Sequence, residues 1–455
     1  MFKLAVVNSF IFVPKDELTD LASYRRQFTF TSKFDPNILV KSYSESDAWF
    51  GFPRHAYRLT KNLADNIVDE RITNPLLNME TKFKLYDYQK GLVEEFTNLV
   101  NNGGSGFFLV AAPGSGKTVM GIECLRILNQ ISLIVVPKSD LVDQWLSRLK
   151  EHTNLKREEI AIANNGTLES HWKKAKVVIG LVHTLALDRF GEAFKEKFGC
   201  VLYDEADSSV PPMTFSCVPG LFAAKYRIGM TATRYRSDGL HQVFEQHLGQ
   251  YFLSCRSNKV MTPGVIQVEY RGSNGWINPK LEYKFRRGQL ITMLASNLER
   301  NKIIAKFAVN CYKANRDTLI LSDRKDQLKY LYEVLVSRYK IPRNEIGYLV
   351  RSLDGKSFKK EYKNKVLTEA KIILATYGMA SRGTDIKRLS ALILATPQMN
   401  MTQISGRIER FLLDKKTPII IDFIDTAYQD AVNSSMARFR QYKKRGMGVK
   451  QYAIG

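Results

Sequence analysis

The sequence predicts an α/β protein: two lobes in tandem, each a parallel sheet with helices on both faces, preceded by a small N-terminal α/β or β-rich domain. Three observations carry this. Two series of strand-length apolar runs alternate with amphipathic segments, an irregular basic stretch separates them, and a glycine-rich loop joins a strand to a helix in the first series. At roughly 150 residues per domain, the 455-residue chain has room for two or three such units.

Residues 1–80 mix short alternating apolar segments, Leu4 to Val7 and Phe10 to Val13, with aromatics and turn residues such as Phe50-Gly51-Phe52-Pro53. They read as an accessory domain that carries no recognisable chemistry of its own. Residues 81–238 form the first lobe, with strands expected at Phe107 to Ala111, Leu133 to Val136, Val177 to Leu181, Val201 to Tyr203 and Tyr226 to Met230. Residues 239–295 read as a basic linker or strand segment. The second lobe, 296–430, has strands expected at Thr318 to Leu321, Ile346 to Val350, Lys371 to Ala375, Ala391 to Ala395 and Pro418 to Ile421, and 431–455 read as a basic tail.

Charge narrows the partners. Lys and Arg number 68 against 45 Asp and Glu, a net +23. Residues 236–455 hold 39 basic and 19 acidic residues, so nearly all the excess lies there. A field of that sign attracts phosphate backbones, and Arg438, Arg440, Lys443, Lys444, Arg445 and Lys450 extend it with no intervening carboxylate. Nucleic acid is the leading partner. No apolar run approaches the ~20 residues that cross a bilayer, and Met1 to Val13 lacks a basic start and a cleavage site, so a soluble, unsecreted chain is expected. The five cysteines form no C-x-x-C, and the six histidines show no metal-ligand spacing. Trp49, Trp145, Trp172 and Trp276 read as packing residues before stacking platforms, with Trp276 the one to test for stacking.

Phe107 to Val110 runs into Ala111-Ala112-Pro113-Gly114-Ser115-Gly116-Lys117-Thr118, and a helical pattern follows. Glycines at 114 and 116 let backbone N–H groups close around phosphates at a helix N-terminus. Ser115 completes the loop, Lys117 brings a point charge to the β/γ-phosphates, and the Thr118 hydroxyl is a ligand for Mg²⁺. Further on, Cys200 to Tyr203 delivers Asp204-Glu205-Ala206-Asp207. A carboxylate at the end of a neighbouring strand holds Mg²⁺, with Asp204 and Glu205 the candidates, and Glu205 can polarise an attacking water. ATP and Mg²⁺ are therefore the expected cofactors.

With these motifs the sequence resembles superfamily 2 helicases, in which two RecA-like lobes clamp one ATP. The resemblance spans about residues 82–428. Tyr86-Asp87-Tyr88-Gln89 is similar to the segment that reads adenine, with Gln89 as the hydrogen-bonding residue. Pro137 to Trp145 and Leu181 to Leu185 resemble motifs that face the nucleic-acid backbone, which implies Gln144, Trp145 and Thr184 as contacts. Gly229 to Arg234 resembles the Thr-Ala-Thr motif coupling hydrolysis to strand movement through Thr231 and Thr233. Arg234 follows where many relatives have proline, and the cluster Arg234-Tyr235-Arg236 is open to two roles, a phosphate contact or a helix-end cap. Ala375 to Gly378 with Ser381 to Asp385 resembles the fifth motif, implying Thr376 at the nucleic acid and Gly383 and Asp385 at the nucleotide. Gln403 to Arg410 resembles the sixth. Two arginines three apart share one face of a helical turn, so Arg407 and Arg410 are expected to reach the γ-phosphate across an interlobe cleft, beside Gln403.

The sixth motif begins with Gln403 where DEAD-box RNA helicases have histidine, which favours DNA over RNA. A small aromatic-rich unit ahead of a two-lobe motor is similar to phage branch-migration and fork-remodelling helicases of the UvsW type. The resemblance implies a monomeric, cytoplasmic, ATP-driven motor on branched or forked DNA, with residues 1–80 recognising DNA structure, acting in the host cytoplasm if the protein is a phage's. The alternatives are an RNA-dependent ATPase that remodels ribonucleoprotein, or a DNA-translocating subunit of a larger complex.

Overall fold

The structure, a computed structural model, describes residues 2–57, 63–112, 114–164, 169–209, 216–236, 238–255, 261–272, 287–380, 386, 388–398, 408–409, 412 and 414–454. The chain divides into two units, Met1–Asn258 and Lys259–Gly455.

The first unit begins with a five-stranded mixed sheet in the order β5-β6-β2-β1-β7, made of β1 (Phe2–Val7), β2 (Phe10–Pro14), β5 (Ser44–Glu45), β6 (Trp49–Pro53) and β7 (Ala64–Asp69). β1 pairs antiparallel with β2 and parallel with β7. The hairpin β3 (Thr29–Thr31) and β4 (Leu39–Lys41) and the helix α1 (Leu21–Gln27) lie between β2 and β5 in the chain. The core of this domain is aromatic: the Phe50 and Phe52 rings sit 4.9 Å apart, and Phe28 meets Phe52 edge-on at 5.5 Å.

A seven-stranded, all-parallel sheet follows, in the order β10-β11-β9-β12-β13-β8-β14. Its strands are β8 (Gly106–Ala111), β9 (Ser132–Val136), β10 (Ile160–Ala163), β11 (Val177–Leu181), β12 (Cys200–Tyr203), β13 (Tyr226–Thr231) and β14 (Tyr251–Cys255). Alternate side chains enter two cores. Leu109, Ile134 and Leu202 pack on one face with α2 (Asp87–Asn101), α3 (Lys117–Leu128) and α4 (Ser139–His152), while Phe108, Leu133, Val135 and Val201 pack on the other.

Two buried arginines join the N-terminal sheet to this one. Arg54 Nη1 and Nη2 donate to the carbonyls of Ala224 and Lys225. Arg227 donates to those of Ser9, Pro219, Phe222 and His247 at 2.7–3.0 Å. Carbonyl oxygens take the place of a counter-ion here, and burial pulls the Arg227 guanidinium down to about 10.

The second unit is again a seven-stranded parallel sheet, in the order β17-β20-β16-β21-β22-β15-β23. It comprises β15 (Gly264–Tyr270), β16 (Thr318–Ser322), β17 (Ile346–Leu349), β20 (Ile372–Thr376), β21 (Ala391–Leu394), β22 (Ile419–Asp425) and β23 (Val449–Ile454), with β18 (Ser352–Leu353) and β19 (Lys356–Ser357) forming a small hairpin. The residues expected as a basic linker supply β14 to the first sheet and β15 to the second. The residues expected as a basic tail fold into a helix, Gln429–Lys444, and the edge strand β23. Arg438 is therefore no free phosphate ligand. It is buried, 2.8 Å from Asp422, because position 438 lies on the helix face turned to β22. Arg445 is paired with Glu409. The five cysteines are free thiols, and among the described residues no helix is long and apolar enough to cross a membrane.

Candidate functional site

All strands of a parallel sheet present their carboxyl ends along one edge, and ligands bind there in α/β folds. In the first unit that edge gathers the glycine-rich loop after β8, Pro137 to Ser139 after β9, Val182 to Leu185 after β11, Asp204 to Asp207 after β12 and Thr231 to Thr233 after β13. Motifs far apart in the chain become neighbours because β13 lies beside β8, and β12 beside β13, in the sheet.

The loop is shaped by two left-handed glycines, Gly114 at φ 83° and Gly116 at φ 82°. A Cβ on Gly116 would lie 2.5 Å from Gln89 Nε2, so the loop is packed against α2 as well as strained for any other residue. Gln89 Nε2 and the Tyr88 hydroxyl both donate to the Ser115 carbonyl, at 3.0 and 3.1 Å, and Gln89 Oε1 accepts from the Tyr86 N–H at 3.0 Å. Gln89 is thus buried as a brace of the loop, its carbonyl oxygen already committed to the protein. Ser115 Oγ donates to the Ala112 carbonyl at 2.7 Å, and Lys117 Nζ reaches back to the Ala111 carbonyl at 2.8 Å. Thr118, on the first turn of α3, is half-buried; Pro113 lies outside the described residues.

Asp204 is buried. Trp145 Nε1 donates to its Oδ2 at 2.8 Å, and the Glu205 N–H donates to Oδ1 at 2.9 Å. Burial pushes the Asp204 carboxyl above its usual range, and the Trp145 hydrogen bond and the nearby Lys117 oppose the shift. Glu205 has φ 46°, a left-handed conformation that a side chain adopts only where its surroundings impose it. Its Oε2 is buried without a hydrogen bond, 3.8 Å from Lys138 Nζ, and burial raises its carboxyl too. Beyond it, Thr231 Oγ1 lies 3.2 Å from Asp207 Oδ1 and 2.9 Å from the Thr233 carbonyl, and accepts from the Thr233 N–H. This ties the strand-end threonine to the acidic segment.

The residues expected to face nucleic acid are placed unevenly. Trp145 does not: it lies with Leu141, Val142 and Leu149 on the inner face of α4, and its indole N–H serves Asp204. Gln144 is half-buried beside it, and Thr184 is 5% exposed. Arg234 is exposed, its guanidinium 3.9 Å from the centre of the Phe252 ring and 3.5 Å from Glu245. Thr376 is half-buried at the end of β20. Gly383, Asp385, Gln403, Arg407 and Arg410 lie outside the described residues, as does Trp276. Three roles went unread in the sequence: Tyr88 as a second brace, Lys138 facing Glu205, and Arg236 donating to the Asp207 carbonyl. The position of Lys138 directly after β9 was the available signal for the second.

A nest of left-handed glycines, a lysine across it, and one buried and one half-buried carboxylate at the carboxyl edge of a parallel sheet define a P-loop nucleoside triphosphatase. Residues 82–236 match the family described as type III restriction enzyme, res subunit. A protein of Acanthamoeba polyphaga mimivirus, L396, named for ATP-dependent RNA helicase activity, is 26% identical over 434 residues, covering 93% of this chain and 80% of the relative. Helicase D10 of Escherichia phage T5 is 24% identical over 93% of this chain and 90% of its own. The fragment structure of an HsdR subunit of a type I restriction enzyme from Vibrio vulnificus aligns with a TM-score of 0.58 at 16% identity, over 84% of this chain and 70% of that one. The fold is that of two tandem RecA-like lobes behind an N-terminal mixed sheet. The chain resembles superfamily 2 helicases, those of phages and viruses among them.

Proposed function

We propose that the chain is an ATP-driven motor on DNA that translocates along or unwinds branched and forked duplexes, in the manner of branch migration and fork remodelling. The observation that carries the reading is the contact of Thr231 with Asp207, which links the end of β13 to the acidic segment. In this reading Gly114, Ser115, Gly116 and Lys117 hold the β- and γ-phosphates, and Gln89 keeps their loop in shape. Glu205 orients the attacking water, its charge held by Lys138. Thr118 and Asp204 fit Mg²⁺: a threonine hydroxyl and a carboxylate, both at the carboxyl edge of the sheet, are oxygen ligands of the right kind. The metal would neutralise charge developing on the phosphates. Gly383 and Asp385 are assigned to the nucleotide, Gln403, Arg407 and Arg410 to transition-state charge, and Thr231 and Thr233 to coupling. Gln144, Thr184, Arg234 and Thr376 are assigned to the nucleic acid. Gln403 at the head of the sixth motif supports DNA as the substrate.

A second reading, an RNA-dependent ATPase, is favoured by the name of the mimivirus relative. Steady-state hydrolysis with single-stranded DNA, linear duplex, forked DNA or RNA at equal nucleotide concentration separates the two. The expected result is strongest stimulation by forked DNA. Stimulation chiefly by RNA makes the second reading the right one, and none by any of them leaves a subunit that works only with a partner.

A further inference from the structure

We propose that Phe34 and Tyr235 together form a base-stacking site on the first unit, which takes unpaired nucleobases beside a duplex junction; this rests on the nucleic-acid motor reading above. Among the described residues they are the two most exposed large hydrophobic side chains, at 71% and 66%. They are 201 positions apart in sequence, and the fold brings their segments together.

Phe34 sits in the turn between β3 and β4. That hairpin is anchored to the RecA-like part of the unit: Val40 packs with Leu240 and Val243, and Ser42 Oγ lies 3.0 Å from His247 Nε2. The Lys33 N–H donates at 2.9 Å to the carbonyl of Asp238, three residues beyond Tyr235. A Cβ on Gly239 would come within 2.9 Å of Lys33 Cε, so the two segments run in contact. The Tyr235 ring is held edge-on against His241 at 5.3 Å. The segments that carry the two rings are fixed against each other, and each ring leaves most of its surface to solvent.

The surrounding charge suits a nucleic-acid strand. Lys33 and Lys41 are exposed and have no ion-pair partner among the described residues, and the Arg234 guanidinium lies 5.4 Å from the centre of the Tyr235 ring. Of the carboxylates nearby, Asp238 pairs with Arg236, Glu245 with Arg234, and Asp35 accepts the Asn37 N–H. Exposed aromatic faces among free cations are how single strands are bound without regard to sequence, since every base has a face to stack. The site is also tied to the ATPase. Arg236 donates to the Asp207 carbonyl and to the Asp238 carboxylate, and Asp238 in turn holds Lys33.

The test uses the full chain and forked DNA carrying 2-aminopurine in the unpaired arm next to the junction, with fork affinity read by titration. Wild-type protein should change the 2-aminopurine fluorescence. The Phe34→Ala, Tyr235→Ala double variant should abolish that change and weaken fork binding about 5- to 100-fold. Phe34→Trp alone should retain both signals, which a lesion of the fold would not. A double variant with wild-type fluorescence change and fork affinity overturns the stacking site and leaves the motor reading intact. If no nucleic acid binds or stimulates the wild type, the motor reading itself fails and the stacking site with it.

Discussion

Asp204 illustrates what a buried charge requires of single residues. A carboxylate removed from water keeps its charge only where donors and cations face it, and Trp145, the Glu205 N–H and Lys117 do so here. Trp145→Phe keeps the ring in the core and removes one donor. A hydrogen bond to a charged group contributes about 1.5–3 kcal/mol, so hydrolysis should fall roughly tenfold or more while affinity for DNA stays near that of wild type. Steady-state kinetics and a binding titration decide it: a loss of affinity with normal turnover would return Trp145 to the nucleic-acid surface. Lys117→Ala should abolish hydrolysis with DNA binding intact, because phosphate contacts elsewhere need no nucleotide; normal turnover in that variant would remove the lysine from the site. The loop residues were legible from their order alone, since each chemical role there demands one residue type at one place. Trp145 was not. It read as a packing residue by type and as a nucleic-acid contact by resemblance, but its partner is 59 positions away, and the sequence carries no sign of that pairing.

Elements were legible where burial on both faces forces a continuous apolar run. Most interior strands of the two parallel sheets are of that kind, as in Leu319 to Leu321 and Ile372 to Ala375. In the two parallel sheets the strands that escaped notice are the edge strands β10, β14 and β23 and the interior strand β15; β14 and β23 carry exposed side chains and β15 carries Gln267 and Glu269, so none of these three makes an unbroken apolar run. The helix Gln429–Lys444 shows the same limit from another side. Its run of cations looks solvated, yet Arg438 lies in the core with Asp422, donating also to the Gln398 carbonyl, while Tyr442 donates to the same carboxylate at 3.1 Å. Removing one partner of a buried pair leaves an uncompensated charge, which costs about 3–5 kcal/mol. Arg438→Met should therefore lower the melting temperature of the second unit markedly. Exposed Lys443→Ala on the same helix should shift stability by no more than about 0.5 kcal/mol. Equal effects of the two changes would mean that the Arg438 pair does not hold the helix to its sheet.

At the scale of the whole molecule the basic excess is divided between surface and interior, and the interior part has a pH signature. The seam between the N-terminal sheet and the first parallel sheet buries Arg54, Arg227 and His247, with His55 half-buried beside them. His247 faces the Ser42 hydroxyl and the Phe10 ring, and its own carbonyl accepts from Arg227. Burial, with Arg227 and Arg54 adding to it, pulls the imidazole from its ordinary 6.5 down to about 3, and His55 is depressed for the same reason. A histidine depressed in this way is neutral when folded but takes up a proton when unfolded, once pH drops below its ordinary value. Its contribution to stability is therefore complete above about 6.5 and is lost as pH falls from there toward 3, at a slope approaching 1.4 kcal/mol per pH unit for each such group. Thermal melts of the full chain between pH 7.5 and 5, pH values chosen as about one unit either side of the ordinary histidine range, should show the first unit losing stability on acidification. His247→Gln keeps a donor for Ser42 and cannot titrate, so it should flatten that dependence and leave only the part due to His55. An unchanged slope in the variant would mean that the seam is not what acid opens, and that carboxylates elsewhere in the unit set its acid limit.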